Sequence, residues 1–408
     1  MENIFIIIKV FFMIEREIYL NKLISFKDKQ LIKVITGIRR CGKSTMFKLF
    51  QNYLLSTGVD NKQIININFE DADFEELMNY KKLYEYLKGH LVSNKTTYIF
   101  LDEIQNVENF QKTVDGLYIK DNVDIYITGS NARMLSGELA TLLSGRYVQI
   151  KMLPLSFKEF VSFDKNDTNI DIKFRKYMKE GGFPYLLNLP DEQAKRAYLE
   201  GIYNTIIVKD IMARGKFSDS SVLQNIIKFM FDNIGNMTSV KKISDTLTSY
   251  GRKISVPTVE NYLEALENSY ILTKVNRYDI SGRQLLKTQG KYYVTDLGLR
   301  QFILNNGKQN FGHNLENIVY LELVRRGCRV YIGKTGNTEV DFTAEKDSYT
   351  CYYQVSQTVL DENTLERELR PLNMIKDHNM KYILTMDNTP EISHNGIRQI
   401  NVIDWLLN

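Results

Sequence analysis

Cysteine is scarce in this chain and poorly placed for pairing: Cys41, Cys328 and Cys351 are its only three, far apart and without CxxC spacing. That excludes a disulfide framework and a cysteine-based structural zinc, and it fits a reducing compartment. The four histidines, His90, His313, His378 and His394, are equally scattered, so no metal beyond Mg²⁺ is expected. Six prolines and no low-complexity tract argue against long disordered linkers. Neither charge sign dominates: 53 Lys and Arg against 49 Asp and Glu leave +4, too mild to mark a dedicated nucleic-acid domain. Long hydrophobic runs are also missing. Ile4 to Met13 is apolar except for Lys9, too short to span a bilayer, and it lacks a basic leading segment and a small-residue cleavage site. No membrane attachment or signal peptide is therefore expected, and residues 1–13 read as an N-terminal extension of a cytoplasmic protein.

What is present is a glycine loop in a telling context. Leu31 to Ile35 reads as a short buried strand, rich in β-branched residues and ended by a glycine turn. Gly37, Ile38, Arg39, Arg40, Cys41, Gly42, Lys43 and Ser44 fit G-x-x-x-x-G-K-[ST], and a helical pattern with Met46, Phe47, Leu49 and Phe50 follows. Two glycines let successive backbone N–H groups converge on phosphate oxygens, and the helix points its partial positive end at the same place. Lys43 supplies a full charge for the β- and γ-phosphates, Ser44 offers a hydroxyl to Mg²⁺, and Thr45 completes the loop. ATP and Mg²⁺ are the implied ligands.

The next strands supply the second half of such a site. Ile64 to Phe69 reads as a strand, followed by an acidic turn and a helical stretch to about His90. Thr97 to Glu103 is an apolar strand ending in two adjacent carboxylates. A carboxylate at that end would hold the Mg²⁺ shell, which falls to Asp102, and a neighbouring Glu would polarise the attacking water, which falls to Glu103. Val123 to Ile127 is a further strand, ending in Thr128-Gly129-Ser130-Asn131. Strands alternating with helices imply an α/β, doubly wound parallel sheet of the P-loop NTPase kind, with ligands at the carboxyl ends of the strands. Ser130 and Asn131 then sit at the rim near the γ-phosphate, or simply cap the turn before a helix at Ala132 to Leu135.

These segments, GIRRCGKST, FLDEIQNV, TGSNARMLS, LLSGR at Leu142 to Arg146 and PLSFKEF at Pro154 to Phe160, resemble the AAA-type ATPases of prokaryotes that carry a DUF4143 C-terminal region. The resemblance continues through VKDI at Val208 to Ile211 and KYYVTDLGLR at Lys291 to Arg300. It implies ATP binding and hydrolysis, with Lys43 and Ser44 at phosphate and metal, Asp102 and Glu103 as the acidic pair, and Ser130 or Asn131 as sensor. It also implies a transition-state arginine, Arg146, acting within the chain or offered to a neighbour in a homo-oligomer.

A chain of 408 residues exceeds one ordinary core. The expected division is a P-loop core over 14–155, a helical lid over 156–215, a winged helix-turn-helix over 216–305 and a nuclease-like domain over 306–408. The winged helix follows from apolar spacing at Leu223, Ile226, Ile227, Met230 and Ile234, a short helix over Val240 to Leu247, and a third helix after Ser255 and Pro257. Ile271 to Tyr278 and Lys291 to Val294 follow as two strands joined by a basic loop. The third helix carries Glu260, Glu264 and Glu267 outward, which repels phosphates; positive charge sits at Lys241, Lys242, Arg252, Lys253, Arg277, Arg283 and Lys287. DNA met through those flanks and a protein contact are both consistent with this.

From Gly312 the order helix, strand, strand, strand, helix, strand, with Glu316 on the helix and Glu339-Val340-Asp341 on a strand, resembles the PD-(D/E)xK nuclease fold. That chemistry needs a second acid and a lysine spaced E-x-K on the next strand; here the place reads Gln354-Val355-Ser356. Two of the four functional positions are altered, so a docking domain for a protein partner is expected in place of a cutting one. The combined expectation is an ATP-driven switch or motor. Its rivals are a nucleic-acid-binding regulator that uses ATP only as a ligand, and a DNA nuclease coupled to an ATPase.

Overall fold

Apolar residues on both faces of each inner strand set the first sheet. The computed structural model describes residues 14–135, 143, 145–164, 168–212, 219–249, 254–305, 310–347 and 349–408. The expected extension 1–13, Arg252 and Lys253 lie outside them, as do Leu142 and Ser144 of the LLSGR segment. The chain divides into two units: one built from residues up to Thr36, Gly42–Gly129 and Met134–Lys151, the other from Gly37–Cys41, Ser130–Arg133 and Met152–Asn408.

In the first unit β1 (Ile32–Thr36), β2 (Ile64–Asn68), β3 (Thr97–Asp102), β4 (Val123–Gly129) and β5 (Tyr147–Lys151) are all parallel, in the order β2-β3-β4-β1-β5. The helices Lys43–Ser56, Tyr80–Gly89 and Phe110–Tyr118 make the crossovers. Alternation along β3 explains its double burial. Ile99 and Leu101 join Ile32, Val34, Leu83, Leu87, Val114 and Leu117 in one aliphatic cluster. Phe100 stacks on Tyr126 at 4.8 Å and meets Phe47 edge-on at 5.1 Å, so the loop helix packs through its aromatic side. Each such side chain contributes roughly 1.5–3 kcal/mol by leaving water, enough to hold the sheet ends in register.

The second unit joins the three accessory segments. The helices Phe157–Phe163, Ile170–Glu180 and Glu192–Thr205 run on into a π-helical stretch, Ile206–Met212. Three helices follow, Ser220–Asp232, Val240–Ser249 and Val256–Asn268, and then the hairpin of β6 (Leu272–Asp279) and β7 (Gln284–Val294). The basic loop expected between these strands is shorter than the sequence suggested. Pairing resumes at Asp279↔Gln284 and runs past a bulge at Asn276/Arg277, so most of that stretch is strand.

Nor does the hairpin stand apart as a wing of its own. β6 pairs in parallel with β8 (Arg329–Thr335), and β9 (Thr338–Lys346), β10 (Tyr349–Val355), β11 (Met380–Thr385), β12 (Ile392–His394) and β13 (Ile397–Asn401) extend one sheet. Its order is β12-β13-β11-β10-β9-β8-β6-β7, so the expected boundary at 305/306 falls inside a continuous sheet. The helices Phe311–Arg325 and Glu362–Met374 flank it, and Leu372 and Ile375 pack with Val340, Tyr352, Ile383 and Ile397. A buried knot ties the lid to the hairpin's far end: Asp296, N-cap of the helix Leu297–Leu304, accepts from Leu299 N at 2.9 Å and Gly182 N at 2.6 Å.

Candidate functional site

The glycine loop leaves the carboxyl end of β1. Gly37 has φ +154°, and a Cβ there would stand 2.1 Å from the Met152 carbonyl oxygen, so no other residue fits. Gly42 has φ +105° and caps the helix that begins with Lys43. Arg40 is also left-handed, at φ 65°. Positive φ values of this kind are what a backbone anion cradle requires. Ile38 and Cys41 are buried and anchor the loop; Cys41 Sγ lies 3.5 Å from the Met152 carbonyl oxygen. The Cys41 side chain is thus turned into the core.

Sheet order explains how the acids face Lys43. β4 lies between β1 and β3, and its Thr128 bridges the two carboxylate residues: it hydrogen-bonds Asp102 Oδ1 and accepts from Glu103 N at 2.9 Å. β3 ends at Asp102, one residue earlier than its apolar run suggested, because Glu103 takes a left-handed conformation, φ 53°, ψ 44°. A glutamate held there carries backbone strain, which is met at sites where a side chain must point one way. Its Oε1 lies 3.4 Å from Lys43 Nζ, and Gln105 Nε2 donates to Oε2. Lys43, Asp102 and Glu103 are all buried.

Burial pushes the Asp102 carboxyl above its ordinary value, against hydrogen bonds from Ser44 and Thr128 and the pull of Lys43, while Glu103 adds to the rise. A desolvated carboxylate hydrogen-bonded by Ser44 fits a hard cation, which would relieve the burial cost. Among the described residues no group of three His, Cys, Asp or Glu side chains is arranged to hold a metal, so such a cation would complete its shell with phosphate and water oxygens.

Ser130 and Asn131 follow β4 directly and are buried. Arg146 is not brought to the acids. It precedes β5 at the sheet's amino edge, whereas the loop leaves from the carboxyl edge, roughly 15 Å away along paired strands. Its guanidinium pairs with Asp115 and covers the Tyr118 ring at 5.4 Å. A within-chain transition-state role for Arg146 is thereby set aside.

Two contacts went unread in the sequence. Arg39 Nε donates to Asp210 Oδ2 at 2.8 Å, tying the loop to the π-helical stretch; VKDI was noticed, but no role followed from it. Lys33, inside the apolar run of β1, is wholly buried and pairs with Asp124 of β4. Lys29 O, 2.8 Å from Lys33 Nζ, belongs to that network, as do Tyr126 OH and Asp28 N, which donate to Asp124 Oδ2 at 2.8 Å and 2.9 Å. One basic and one acidic residue, each alone in an apolar strand, were the signal for it.

Comparison with known proteins agrees with this geometry. Residues 29–161 match a family model described as an AAA domain, and residues 171–310 match one described as a domain of unknown function, DUF8612. The second designation differs from the DUF4143 region that the motifs suggested. A Walker-type ATPase of Pyrococcus abyssi superposes with a TM-score of 0.51 at 16% identity, over 71% of this chain and 96% of that one, a likeness of fold alone. An uncharacterised protein of Methanocaldococcus jannaschii is 34% identical over 403 residues, 91% of this chain and 85% of its own. An uncharacterised protein of Haemophilus influenzae is 41% identical over 399 residues, 97% of this chain and 99% of its own. At that identity and coverage the chain belongs to the same family as the Haemophilus influenzae protein, and its residues 29–161 match the AAA domain of P-loop AAA-type proteins.

Proposed function

We propose that the chain binds MgATP on residues 37–45, hydrolyses it, and uses the cycle to reposition its second unit against a macromolecular partner. The observation that carries this is the Lys43–Glu103 pair, 3.4 Å apart with Glu103 strained toward the lysine. Loop N–H groups and the helix end at Lys43 hold the phosphates, and the Lys43 ammonium sits on the β- and γ-oxygens. Ser44 and Asp102 would hold a Mg²⁺ ion, and the chemistry it would supply is charge neutralisation of the phosphates. Once phosphate engages Lys43, Glu103 loses that ammonium as a partner and is left to align water and take its proton. Ser130 or Asn131 is read as the sensor of the γ-phosphate. Arg146 is read as an arginine offered to a neighbouring copy, a role consistent with its half-exposed side chain. Arg39 and Asp210 carry the loop's state into the π-helical stretch.

The partner reading rests on charge. Glu260 and Glu264 are exposed on the helix Val256–Asn268, the face a winged helix would present to DNA. Lys241, Lys242 and Arg283 are exposed elsewhere. Carboxylates on that face repel phosphates, which favours a protein partner. The test is steady-state ATPase activity of wild type and Glu103→Gln, with and without duplex DNA at several salt concentrations. Glu103→Gln should keep MgATP binding and lose turnover by about 10²-fold or more. DNA should leave the wild-type rate unchanged. Native turnover in Glu103→Gln would refute the base, and a salt-sensitive stimulation by DNA would refute the protein partner.

A further inference from the structure

The nuclease-like resemblance implies a divalent ion between Glu316 and Asp341, and the residues present do not leave room for one. Lys291 of β7 reaches into the cluster. Its Nζ lies 2.9 Å from Glu316 Oε1, 2.8 Å from Glu339 Oε1 and 3.7 Å from Asp341 Oδ1. Lys291 and Glu316 are buried, and Tyr293 OH donates to Glu316 Oε1. The polar groups around Asp341 are paired as well. Val355 N donates to Asp341 Oδ2 at 2.9 Å, Asp341 N donates to Gln354 Oε1 at 2.7 Å, and Gln354 Nε2 donates to Glu368 Oε2 at 2.8 Å.

A Mg²⁺ ion would need to stand about 2.1 Å from the same carboxylate oxygens. That puts it on top of an ammonium already within 3.7 Å of all three acids, with like charges facing each other at close range. The three carboxylates hold Lys291 firmly protonated against its burial. Ser356, where an E-x-K lysine would stand, brings no second positive charge.

We infer that the Lys291 ammonium occupies the place of the divalent cation in this acid cluster, so that the C-terminal sheet keeps the nuclease-like arrangement as a closed ion-pair site without metal-dependent cleavage. The lysine also pins the hairpin strand β7 to the helix Phe311–Arg325 and to β9, a brace between segments 216–305 and 306–408 that the sequence reading had separated.

Terbium titration of the full chain tests this, because Tyr293 and Tyr320, stacked at 4.6 Å, would sensitise emission from an ion held by Glu316. Wild type and Asp341→Asn, which keeps an acceptor for Val355 N–H, should titrate identically. Lys291→Met should gain a saturable Tyr-sensitised site, about tenfold or more tighter than any wild-type signal, and Lys291→Met/Asp341→Asn should lose it. If Lys291→Met does not fold, the wild-type and Asp341→Asn curves decide alone. Terbium binding, or Mn²⁺-dependent DNA cleavage, that is present in wild type and lost in Asp341→Asn would overturn the inference. A well-folded Lys291→Met with no new site would overturn it as well.

Discussion

Two lysine–carboxylate clusters built from the same groups behave oppositely. In the first unit Lys43 stands 3.4 Å from Glu103 and shares its surroundings with Asp102, and both Gly42, just before the lysine, and Glu103 itself are left-handed. In the second unit Lys291 stands within 2.9 Å of two carboxylates on regular elements, and a third lies 3.7 Å away. The first pairing is longer and strained, so a phosphate can replace it at small cost. The second is short and braced from several sides, so nothing replaces it. On the proposed function, what separates the two sites is how tightly the ion pair is already satisfied.

The largest expected effect exchanges these roles. Lys291→Met should cost about 3–5 kcal/mol of stability, because it leaves buried carboxylates uncompensated, whereas Lys43→Met should cost less, because it breaks one longer pairing. Urea unfolding of both variants decides it, and equal losses would erase the distinction. A third lysine sharpens it: Asp124→Leu should also lose about 3–5 kcal/mol, and Lys33→Met/Asp124→Leu should recover most of that, since hydrophobic replacement of a whole buried pair is close to neutral. Failure of the double variant to recover would mean that Lys33 is needed for more than its charge.

An acid compensated by amides alone offers the next contrast. Burial pushes Asp296 up to about 6, against the N–H groups of Gly182, Leu299 and Gly298. Its folded-state value lies above the unfolded one, so its contribution is full below about pH 4 and is lost as pH rises through about 6, roughly 2–3 kcal/mol in all. Urea midpoints between pH 4 and 7 should show that fall in wild type and not in Asp296→Asn. The smallest effect concerns coupling. Arg39→Ala and Asp210→Asn should each lower turnover a few-fold while shifting nucleotide affinity by less, with a double variant no worse than either single one. Additive losses would mean that the two residues act separately.

The sequence made the phosphate loop legible because its geometry is local: glycines, Lys43 and Ser44 stand within one turn, and the strand before them is short and apolar. Asp102 and Glu103 were readable for the same reason, as the end of a buried run. Thr128 was not, since its role depends on β4 lying between β1 and β3, and strand order is a property of the whole sheet. Arg39–Asp210 and Lys291–Glu316 join residues 171 and 25 positions apart. Ser356 in place of a lysine suggested an altered site, whereas the contacts of Lys291 with Glu316 and Glu339 are visible only in the fold. The place of Arg146 was not legible either, because a glycine–arginine step carries no information about which edge of the sheet it occupies.

Calorimetry of MgATP against wild type and Lys43→Ala tests the central claim most directly. The account predicts saturable heat with one site per wild-type chain and none with Lys43→Ala of equal fold content. Indistinguishable binding by the two proteins, or no heat from wild type, would contradict it.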